Sequence, residues 1–223
     1  MRAFVLAGGR STRMGRDKAL LEVDGRPLIV HALEKLRALG LDPRICGSRP
    51  DLEGFGEVIP DRFPESGPLA GIEAGLAGVA AGEDELNLFL AVDLPLLPVE
   101  FLRWMIERAE ASGAVATIPR AEGREQPLCA VYSRRLQPGL RLALEAGNRK
   151  VMRAMSEAAA GMGERLDVFD VERVAAALRT GVWPADPEWK SVPVRTWFRN
   201  VNTPEELARL SEDLRGTSAA RSA

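Results

Sequence analysis

The chain has 223 residues, a formal net charge of −2 at pH 7 and a single histidine. A chain of this length forms one large domain or two small ones, and it buries an apolar core without disulfide or metal staples. The near-neutral charge disfavours nucleic acid as a principal partner, because binding to a phosphate backbone requires a visibly basic protein. The lone His31 excludes zinc sites that need two or three histidines, and it leaves Ser-His-Asp catalysis only through His31 itself.

Cysteine usage and apolar runs bear on the cellular compartment. Cys46 and Cys129 form no CxxC motif and no disulfide framework, which favours a reducing cytoplasm. No stretch reaches the roughly 18 apolar residues that a membrane span needs, and the residues before Gly8 are too few for the apolar region of a signal peptide. We therefore expect a cytoplasmic protein without a membrane partner, in which both cysteines are small core or loop residues.

The first half of the chain alternates strand-length apolar runs with helical patterns. The run at 86–92 is almost continuously apolar, which is typical of a strand covered on both faces, and Gly40 is placed to end the first helix. Such alternation indicates an α/β domain with a mostly parallel sheet. The predicted strands are 4–6, 44–46, 57–59, 86–92 and 114–118, and the predicted helices are 28–39, 68–79 and 99–111.

The second half continues with less regular spacing. A helix at 204–214 has clear start signals, because Thr203 can cap it and Pro204 takes its first position. No internal repeat or linker interrupts the chain, so we expect a single domain over 1–215 and a disordered tail at 216–223. The other predicted elements are strands at 128–132 and 166–171 and helices at 139–146 and 151–160.

A glycine-rich basic segment, LAGGRSTRMGRDKALL, follows the first predicted strand at 6–21. Parallel sheets bind ligands at the carboxyl ends of their strands, and Gly8 and Gly9 let backbone amides approach an anion closely. Residues 2–18 carry a charge of +4 within a chain of −2. The segment has neither the P-loop pattern nor the GxGxxG pattern. On these residues alone, a phosphate-binding turn and a glycine turn with a solvated basic face both remain open.

Two aspartates follow predicted strands. Asp93 ends the most apolar strand, and a carboxylate there is well placed to hold Mg²⁺ beside phosphates, because Mg²⁺ usually takes only one or two protein carboxylates. The alternative is that Asp93 caps the helix after Pro98. Asp61 follows an earlier strand in a similar position, and its alternative role is that of a turn residue between Pro60 and Pro64.

Five motifs in this order resemble the molybdenum cofactor guanylyltransferases. The opening LAGGxSxRMGxDKALL is shared with a wider nucleotidyltransferase superfamily that includes sugar-nucleotide pyrophosphorylases and cytidylyltransferases. The others are GPLAGI at 67–72, VDLPLL at 92–97, QPLCAVY at 126–132 and FRNVNTPEEL at 198–207. Together they extend over residues 1 to about 210, and the last motif narrows the choice within the superfamily.

The resemblance implies a three-layer α/β/α sandwich of the nucleotide-diphospho-sugar transferase type, with a Rossmann-like, mostly parallel sheet. It implies transfer of GMP from GTP to the phosphate of molybdenum-molybdopterin, with Mg²⁺ as cofactor and release of pyrophosphate. Residues 1–125 would bind the nucleotide and 126–215 the pterin acceptor. We expect a monomer that docks transiently to a GTP-binding accessory protein or a molybdoenzyme.

The site residues implied by the resemblance fall into three sets. Ser48 is included because Cys46-Gly47-Ser48-Arg49 replaces an Asn-containing segment of the family, and its hydroxyl can replace one hydrogen bond of the Asn. The catalytic set is Arg13, Lys18 and Asp93, with Asp93 as the metal ligand. The nucleotide set is Leu6, Ala7, Gly8, Gly9, Lys18, Ser48, Asp61 and Asp93. The acceptor set is Gln126, Pro127, Asn200 and Asn202.

The implied reaction suits a protein with one histidine. The acceptor phosphate is already an anion, so attack on the α-phosphorus needs little general-base help, and catalysis would depend on alignment and charge neutralisation. The alternatives are a cytidylyltransferase acting on the same pterin, a sugar-nucleotide pyrophosphorylase, or a non-catalytic nucleotide-binding regulator of cofactor assembly. A leaving-group clamp together with a metal carboxylate argues against the regulator.

Other features have two interpretations. The stretch 182–198 holds three of the four tryptophans, and we predict a strap over the core rather than an aromatic wall for a flat pterin. His31 is expected to be a partly buried helix residue, and Met152 and Met155 are expected to pack a helix. For the turn at 148–150, two interpretations stay open: a solvated turn and a contact with a phosphate.

Overall fold

A computed structural model of the chain describes residues 1–8, 17–80, 85–180, 193–200 and 206. The strands in these residues are β1 (Arg2–Leu6), β2 (Glu22–Val23), β3 (Arg26–Pro27), β4 (Pro43–Cys46), β5 (Val58–Ile59), β6 (Leu86–Ala91), β7 (Ala116–Ala121), β8 (Arg124–Glu125), β9 (Cys129–Ser133) and β10 (Leu166–Asp170). The central sheet has the order β10-β7-β9-β6-β1-β4-β5, with β8 paired to β7, while β2 and β3 form a separate hairpin.

Helices cover both faces of this sheet. They are α1 (Leu28–Ala38), α2 (Pro68–Ala77), α3 (Val99–Ser112), α4 (Gln137–Glu145), α5 (Val151–Gly161), α6 (Val171–Thr180) and the short α7 (Val194–Trp197). One apolar core lies between the sheet and α1, α3, α6 and α7, and a second lies between the sheet and α2, α4 and α5. The predicted three-layer α/β/α sandwich is confirmed.

Strand β1 shows how the sequence builds both layers. Its alternate side chains point to opposite faces, so that Ala3 and Val5 enter one core and Phe4 and Leu6 enter the other. None of the four is more than 7% exposed. A strand with both faces covered has no polar side, which explains why β1 and β6 are almost continuously apolar in sequence.

Glycines end one helix and bring another close to the sheet. Gly40 follows α1 with a φ of 78°, in the left-handed region that favours glycine, as predicted. In α2, a Cβ at Gly71 would lie 3.2 Å from Leu6 Cδ2, and one at Gly75 would lie 2.8 Å from Phe89 Cε1. The glycines that weaken the helical pattern of α2 therefore let its backbone approach β1 and β6.

The sheet departs from a parallel arrangement at β9. Strand β1 pairs in parallel with β4 and β6, and β10 pairs in parallel with β7, but β9 runs antiparallel to β6 and β7. The reversal follows from the turn between β7 and β8, where Glu122 and Gly123 have φ values of 49° and 74°. Two residues with positive φ make the tight hairpin turn that sends the chain back along the sheet.

The predicted elements up to β10 are confirmed within a few residues. The β2–β3 hairpin and α6, which follows β10 directly, were not predicted. The predicted helix at 204–214, apart from Glu206, and the predicted tail at 216–223 lie outside the described residues. Within the part of the chain that is described, no helix has the length and apolar character needed to cross a membrane.

The described end of the 182–198 stretch packs onto the core. Trp197 is 1% exposed, and its ring centroid lies 5.3 Å from that of Phe101. Phe198 meets the same ring edge-on, with centroids 5.7 Å apart. These contacts support the strap rather than the pterin wall for this end, while Trp183 and Trp189 lie outside the described residues.

Candidate active site

Five strands meet at one edge of the sheet. The register pairs Leu6 with both Cys46 and Ala91, and Cys46 with Ile59, so β1, β4, β5 and β6 end side by side. Strand β9 runs in the opposite direction and begins beside the end of β6. The loops that follow or precede these strands therefore converge. Because α/β sheets bind ligands at this edge, it is the candidate functional site.

A cavity of about 110 Å³ lies over the end of β1. Two backbone segments meet beside it: a Cβ at Gly47 would lie 3.0 Å from the Cα and the N of Gly8, and Gly47 has a φ of 141°. Only glycine fits there, because any side chain would collide with the backbone of Gly8. The cavity is lined in part by Leu6, Gly8, Lys18, Asp61 and Asp93, which all belong to the predicted nucleotide set.

Lys18 and Asp93 face each other in this cavity. Their side chains form an ion pair and are 23% and 14% exposed, respectively. Lys18 begins a short 3-10 helix that Asp17 caps by accepting a hydrogen bond from the backbone N–H of Ala19 at 2.9 Å. The alternative role of Asp93 is wrong, since the N-cap of α3 is Pro98 and no side chain caps that helix.

The carboxylate of Asp61 is turned into the same cavity. Its Oδ2 lies 3.7 Å from the position of a Cβ at Gly8, and its Oδ1 lies 3.6 Å from that of a Cβ at Gly71. Oδ1 is buried and has no hydrogen-bond partner within the described residues. Burial raises the pKa of Asp61. An unpartnered buried carboxylate oxygen costs stability, which is expected of a group that meets a ligand rather than of a turn residue.

Arg49 links the two ends of the glycine-rich segment. Its guanidinium donates through Nε and Nη2 to Asp51, at 2.9 and 2.6 Å, and through Nη1 to the carbonyl oxygen of Ala7 at 3.3 Å. Nη2 also forms an ion pair with Asp17, and the Arg49 side chain is only 6% exposed. The hydrogen bonds to Asp51, with the charges of Asp17 and Asp51, raise the pKa of Arg49.

The loop that carries Asp93 is anchored by a lysine of α1. The Nζ of Lys35 donates to the carbonyl oxygens of Pro95, at 2.8 Å, and Leu97, at 2.9 Å. Burial lowers the pKa of Lys35 to about 8, and the charge of Glu100 opposes this effect. The lysine holds the backbone of this loop at the point where it leaves the site.

A second, wider cavity of about 410 Å³ adjoins the first, and Asp93 lines both. The predicted acceptor residues Gln126, Pro127 and Asn200 line this second cavity. The loop before β9 is held in place by Tyr132, whose hydroxyl donates to the carbonyl oxygen of Pro127 at 2.7 Å. Burial raises the pKa of Tyr132, so the hydroxyl keeps the proton that it donates.

The structure brings together most, but not all, of the predicted site residues. Ala7 is buried directly before Gly8. Ser48 is exposed and lines neither of these two cavities, whereas Cys46 lines the first. The hydrogen bond expected from Ser48 therefore stays a prediction. The remaining predicted residues, Gly9, Arg13 and Asn202, lie outside the described residues.

Three residues that hold the site were not predicted from the sequence. Lys35 follows Leu28 and Ala32 at helical spacing, on the apolar face of α1, and a charge on such a face signals a buried contact. Tyr132 lies in an apolar strand, where a buried hydroxyl needs a partner. Arg49 has no comparable signal, because its turn sequence is typical of an exposed loop.

The donor set at this edge fits a Mg²⁺ ion that arrives with a nucleotide. Asp93 and Asp61 line the same cavity and supply carboxylate oxygens, which Mg²⁺ prefers and usually combines with phosphate oxygens. Among residues 1–8, 17–80, 85–180, 193–200 and 206, no group of three or more His, Cys, Asp or Glu side chains could hold a metal. Two carboxylates in one cavity suit a metal that phosphates would help to hold.

A largely parallel sheet whose carboxyl edge carries a glycine, a lysine and two aspartates is typical of α/β enzymes that act on phosphorylated ligands. Residues 3–162 match the family model described as a MobA-like NTP transferase domain. The chain belongs to this family and is a nucleotidyltransferase.

Relatives with similar sequences carry consistent names. A probable molybdenum cofactor guanylyltransferase of Thermococcus gammatolerans is 36% identical over 218 residues, which cover 92% of this chain and 96% of the relative. A molybdenum cofactor guanylyltransferase of Syntrophotalea carbinolica is 35% identical over 159 residues, which cover 70% and 74% of the two chains.

Solved structures with low sequence identity show the same fold. A molybdopterin-guanine dinucleotide biosynthesis protein A from Archaeoglobus fulgidus has a TM-score of 0.73 at 24% identity, over 97% of this chain and 100% of that one. A 2-C-methyl-D-erythritol 4-phosphate cytidylyltransferase from Thermus thermophilus has a TM-score of 0.59 at 14% identity, over 95% and 98%. The predicted transferase-type sandwich is thereby confirmed.

Proposed function

We propose that this nucleotidyltransferase transfers GMP from GTP to the phosphate of molybdenum-molybdopterin, which forms the guanine dinucleotide cofactor and releases pyrophosphate. One observation carries the proposal: Asp93 lines both cavities, one with Gly8, Lys18 and Asp61 and the other with Asn200. A group-transfer enzyme must bring donor and acceptor together at one point, and two adjoining cavities meet this need. The names of the relatives support the choice of substrates.

In the proposed reaction, an oxygen of the acceptor phosphate bonds to the α-phosphorus of GTP. The bond from that phosphorus to the β-phosphate oxygen breaks, and pyrophosphate leaves. Lys18 would neutralise phosphate oxygens, and the turn at Gly8 lets backbone amides approach them. Arg13 is the proposed partner of the departing pyrophosphate. Asp93 would hold Mg²⁺, which supplies further charge neutralisation at the phosphates.

The residues that line the two cavities support an assignment of one cavity to each proposed substrate. Asp61 is the proposed nucleotide contact, because its unpartnered buried oxygen gains most from an N–H or O–H donor of a ligand. The second cavity, of about 410 Å³, has the volume of a small-molecule site. Gln126, Pro127 and Asn200 are the proposed pterin contacts in its wall.

A substrate panel tests the proposal. Pyrophosphate release is measured with GTP, CTP, ATP and UTP, each with and without molybdenum-molybdopterin. We expect release only with GTP and pterin together. Release with CTP and pterin would replace the proposal by the cytidylyltransferase alternative, and release with a sugar phosphate in place of pterin would favour a sugar-nucleotide pyrophosphorylase. No release with any pair would favour a nucleotide-binding regulator.

The Lys18–Asp93 pair is tested by single and double substitution. Lys18→Ala and Asp93→Ala are each expected to lower turnover by about a hundredfold or more, since both act on developing phosphate charge. Each single variant breaks the Lys18–Asp93 ion pair but keeps one of its two charges, whereas the double variant removes both charges and is expected to regain melting temperature but not turnover. The control is Arg37→Ala, on the exposed side of α1. Near-normal turnover of folded Asp93→Ala would contradict the metal assignment.

A further inference from the structure

We propose that Arg49 is a positioning residue of the nucleotide site, which sets the affinity for the triphosphate by holding Ala7, directly after β1, and the start of the Lys18 helix at a fixed separation. The inference rests on the proposed function and goes beyond it, because Arg49 lines neither the first nor the second cavity. Its effect is exerted through Ala7, Asp17 and Lys18.

The guanidinium of Arg49 joins two points that are ten residues apart in sequence. Nη1 binds the carbonyl oxygen of Ala7, the last buried residue before Gly8, and Nη2 binds the carboxylate of Asp17, the residue before Lys18. Each of the three guanidinium nitrogens has an acceptor. One planar, rigid group therefore determines how far apart Ala7 and Asp17 lie.

The ion pair between Arg49 and Asp17 is linked to Lys18 through the backbone. Oδ2 of Asp17 pairs with Arg49, while Oδ1 of the same carboxylate accepts the N–H of Ala19 in the 3-10 helix that Lys18 begins. The carboxylate thus has both oxygens engaged, one on each side. Movement of Arg49 would move the helix start, and with it the ammonium that pairs with Asp93.

The turn that carries Arg49 is itself fixed to the sheet. The carboxylate of Asp51 accepts hydrogen bonds from both Nε and Nη2 of Arg49. Such a two-point contact fixes the plane of a guanidinium. The backbone N–H of Gly47 donates to Ile59 at 3.0 Å, and that of Ala7 donates to Cys46 at 3.0 Å. Arg49 therefore transmits the geometry of β1, β4 and β5 to the glycine-rich segment.

Long-range attraction between Arg49 and phosphate does not account for the proposed effect of Arg49 on nucleotide affinity. The charge of Arg49 is matched by two carboxylates, Asp17 and Asp51, so the cluster adds no net positive charge. The arrangement depends on the forked shape of the side chain rather than on its charge. A lysine at this position keeps the charge but cannot hold three acceptors in one plane.

The test compares Arg49→Met and Arg49→Lys with the unaltered protein. Calorimetry gives the Kd of GTP in the presence of Mg²⁺, kinetics give the KM for each substrate, and thermal melting gives the Tm. We expect the Kd and KM for GTP to rise about ten- to a hundredfold in both variants. This is the fold-change that corresponds to the loss of charge-assisted hydrogen bonds. The KM for the acceptor is expected to stay unchanged. If Arg49→Met does not fold, Arg49→Lys alone carries the test.

The matched control is Arg108→Met. Arg108 also binds a carboxylate at two points, since its Nε and Nη2 both lie 2.7 Å from oxygens of Asp167, and it lines neither of the two cavities. We expect this variant to lower the Tm without changing the Kd for GTP. A merely structural Arg49 would behave in the same way, so an unchanged Kd in folded Arg49 variants overturns the proposal.

A double-mutant cycle with Asp17→Asn tests whether Arg49 affects GTP binding through Asp17. If Arg49 acts through Asp17, the combined variant is expected to weaken GTP binding little more than Arg49→Met alone. Fully additive effects on the Kd would overturn the proposed route. Failure of the unaltered protein to bind or use GTP would overturn the proposed function and this inference together, whereas normal GTP use with insensitive Arg49 variants would overturn the positioning role alone.

Discussion

Replacement of Lys35 by Met tests whether the loop behind Asp93 is held by a buried charge. Burial lowers the pKa of Lys35 from 10.5 to about 8. A pKa lowered by about 2.5 corresponds to about 3 kcal/mol of destabilisation of the charged form in the folded protein. Below pH 8 the folded protein carries this cost, while Lys35 donates to the carbonyl oxygens of Pro95 and Leu97.

The sign of the pH dependence follows from proton binding. Between pH 8 and pH 10.5 the unfolded chain holds the proton of Lys35 while the folded protein has released it. The free energy of unfolding therefore rises with pH across this window, and Lys35→Met lacks this contribution. Relative to the variant, the unaltered protein is expected to gain about 2.5 kcal/mol between pH 7 and pH 10.

The assay is urea denaturation, followed by far-ultraviolet circular dichroism, at pH 7, 8, 9 and 10. Arg37→Met, on the exposed side of the same helix, is the control and is expected to show no such change. Burial raises the pKa of Cys46, Cys129 and Tyr132, which lowers stability at high pH equally in all three proteins and cancels in the comparison. A difference between the unaltered protein and Lys35→Met that stays constant over this range would refute the buried charge.

Two further predictions concern the walls of the first cavity and the helix beside it. Asp61→Asn removes a buried carboxylate with a raised pKa, so it is expected to raise the Tm at pH 7 more than at pH 4 while weakening GTP binding; a lower Tm with unchanged GTP affinity would argue against a ligand-binding role. Gly75→Ala places a Cβ 2.8 Å from Phe89 Cε1 and is expected to cost about 1–3 kcal/mol in urea denaturation. Gly161→Ala, with nothing within 4 Å, is expected to be neutral or stabilising, and equal effects of the two would contradict the close approach of α2 to the sheet.

Apolar patterning was sufficient to predict the sheet and the convergence of its site residues. Strands β1 and β6 have few polar positions because helices cover both of their faces, and their ends are marked by Gly8 and Asp93. In a parallel sheet such ends meet at one edge, so the proximity of Asp61 and Asp93 could be expected before any coordinates, whereas the place of Lys18 was implied by the family resemblance. The structure places all three in one cavity.

Strand direction and buried charge could not be predicted in this way. The apolar run of β9 is the same in either direction, and only the hairpin turn at Glu122 and Gly123 reverses it. Lys35 binds carbonyl oxygens that lie 60 and 62 residues away in sequence, and Arg49 binds one 42 residues away. Burial of a charged side chain depends on such distant partners, which local patterns do not contain.

The place of β6 between β1 and β9 has a consequence for how this enzyme could be altered. The loops on either side are separated by two strand spacings, about 10 Å in total, a distance that is set by backbone hydrogen bonds and not by side chains. Substitutions in the loops can therefore change which base or which acceptor fits. They leave the span between the two cavities as it is, so in the proposed reaction an altered acceptor would still have to reach across the width of the same strand.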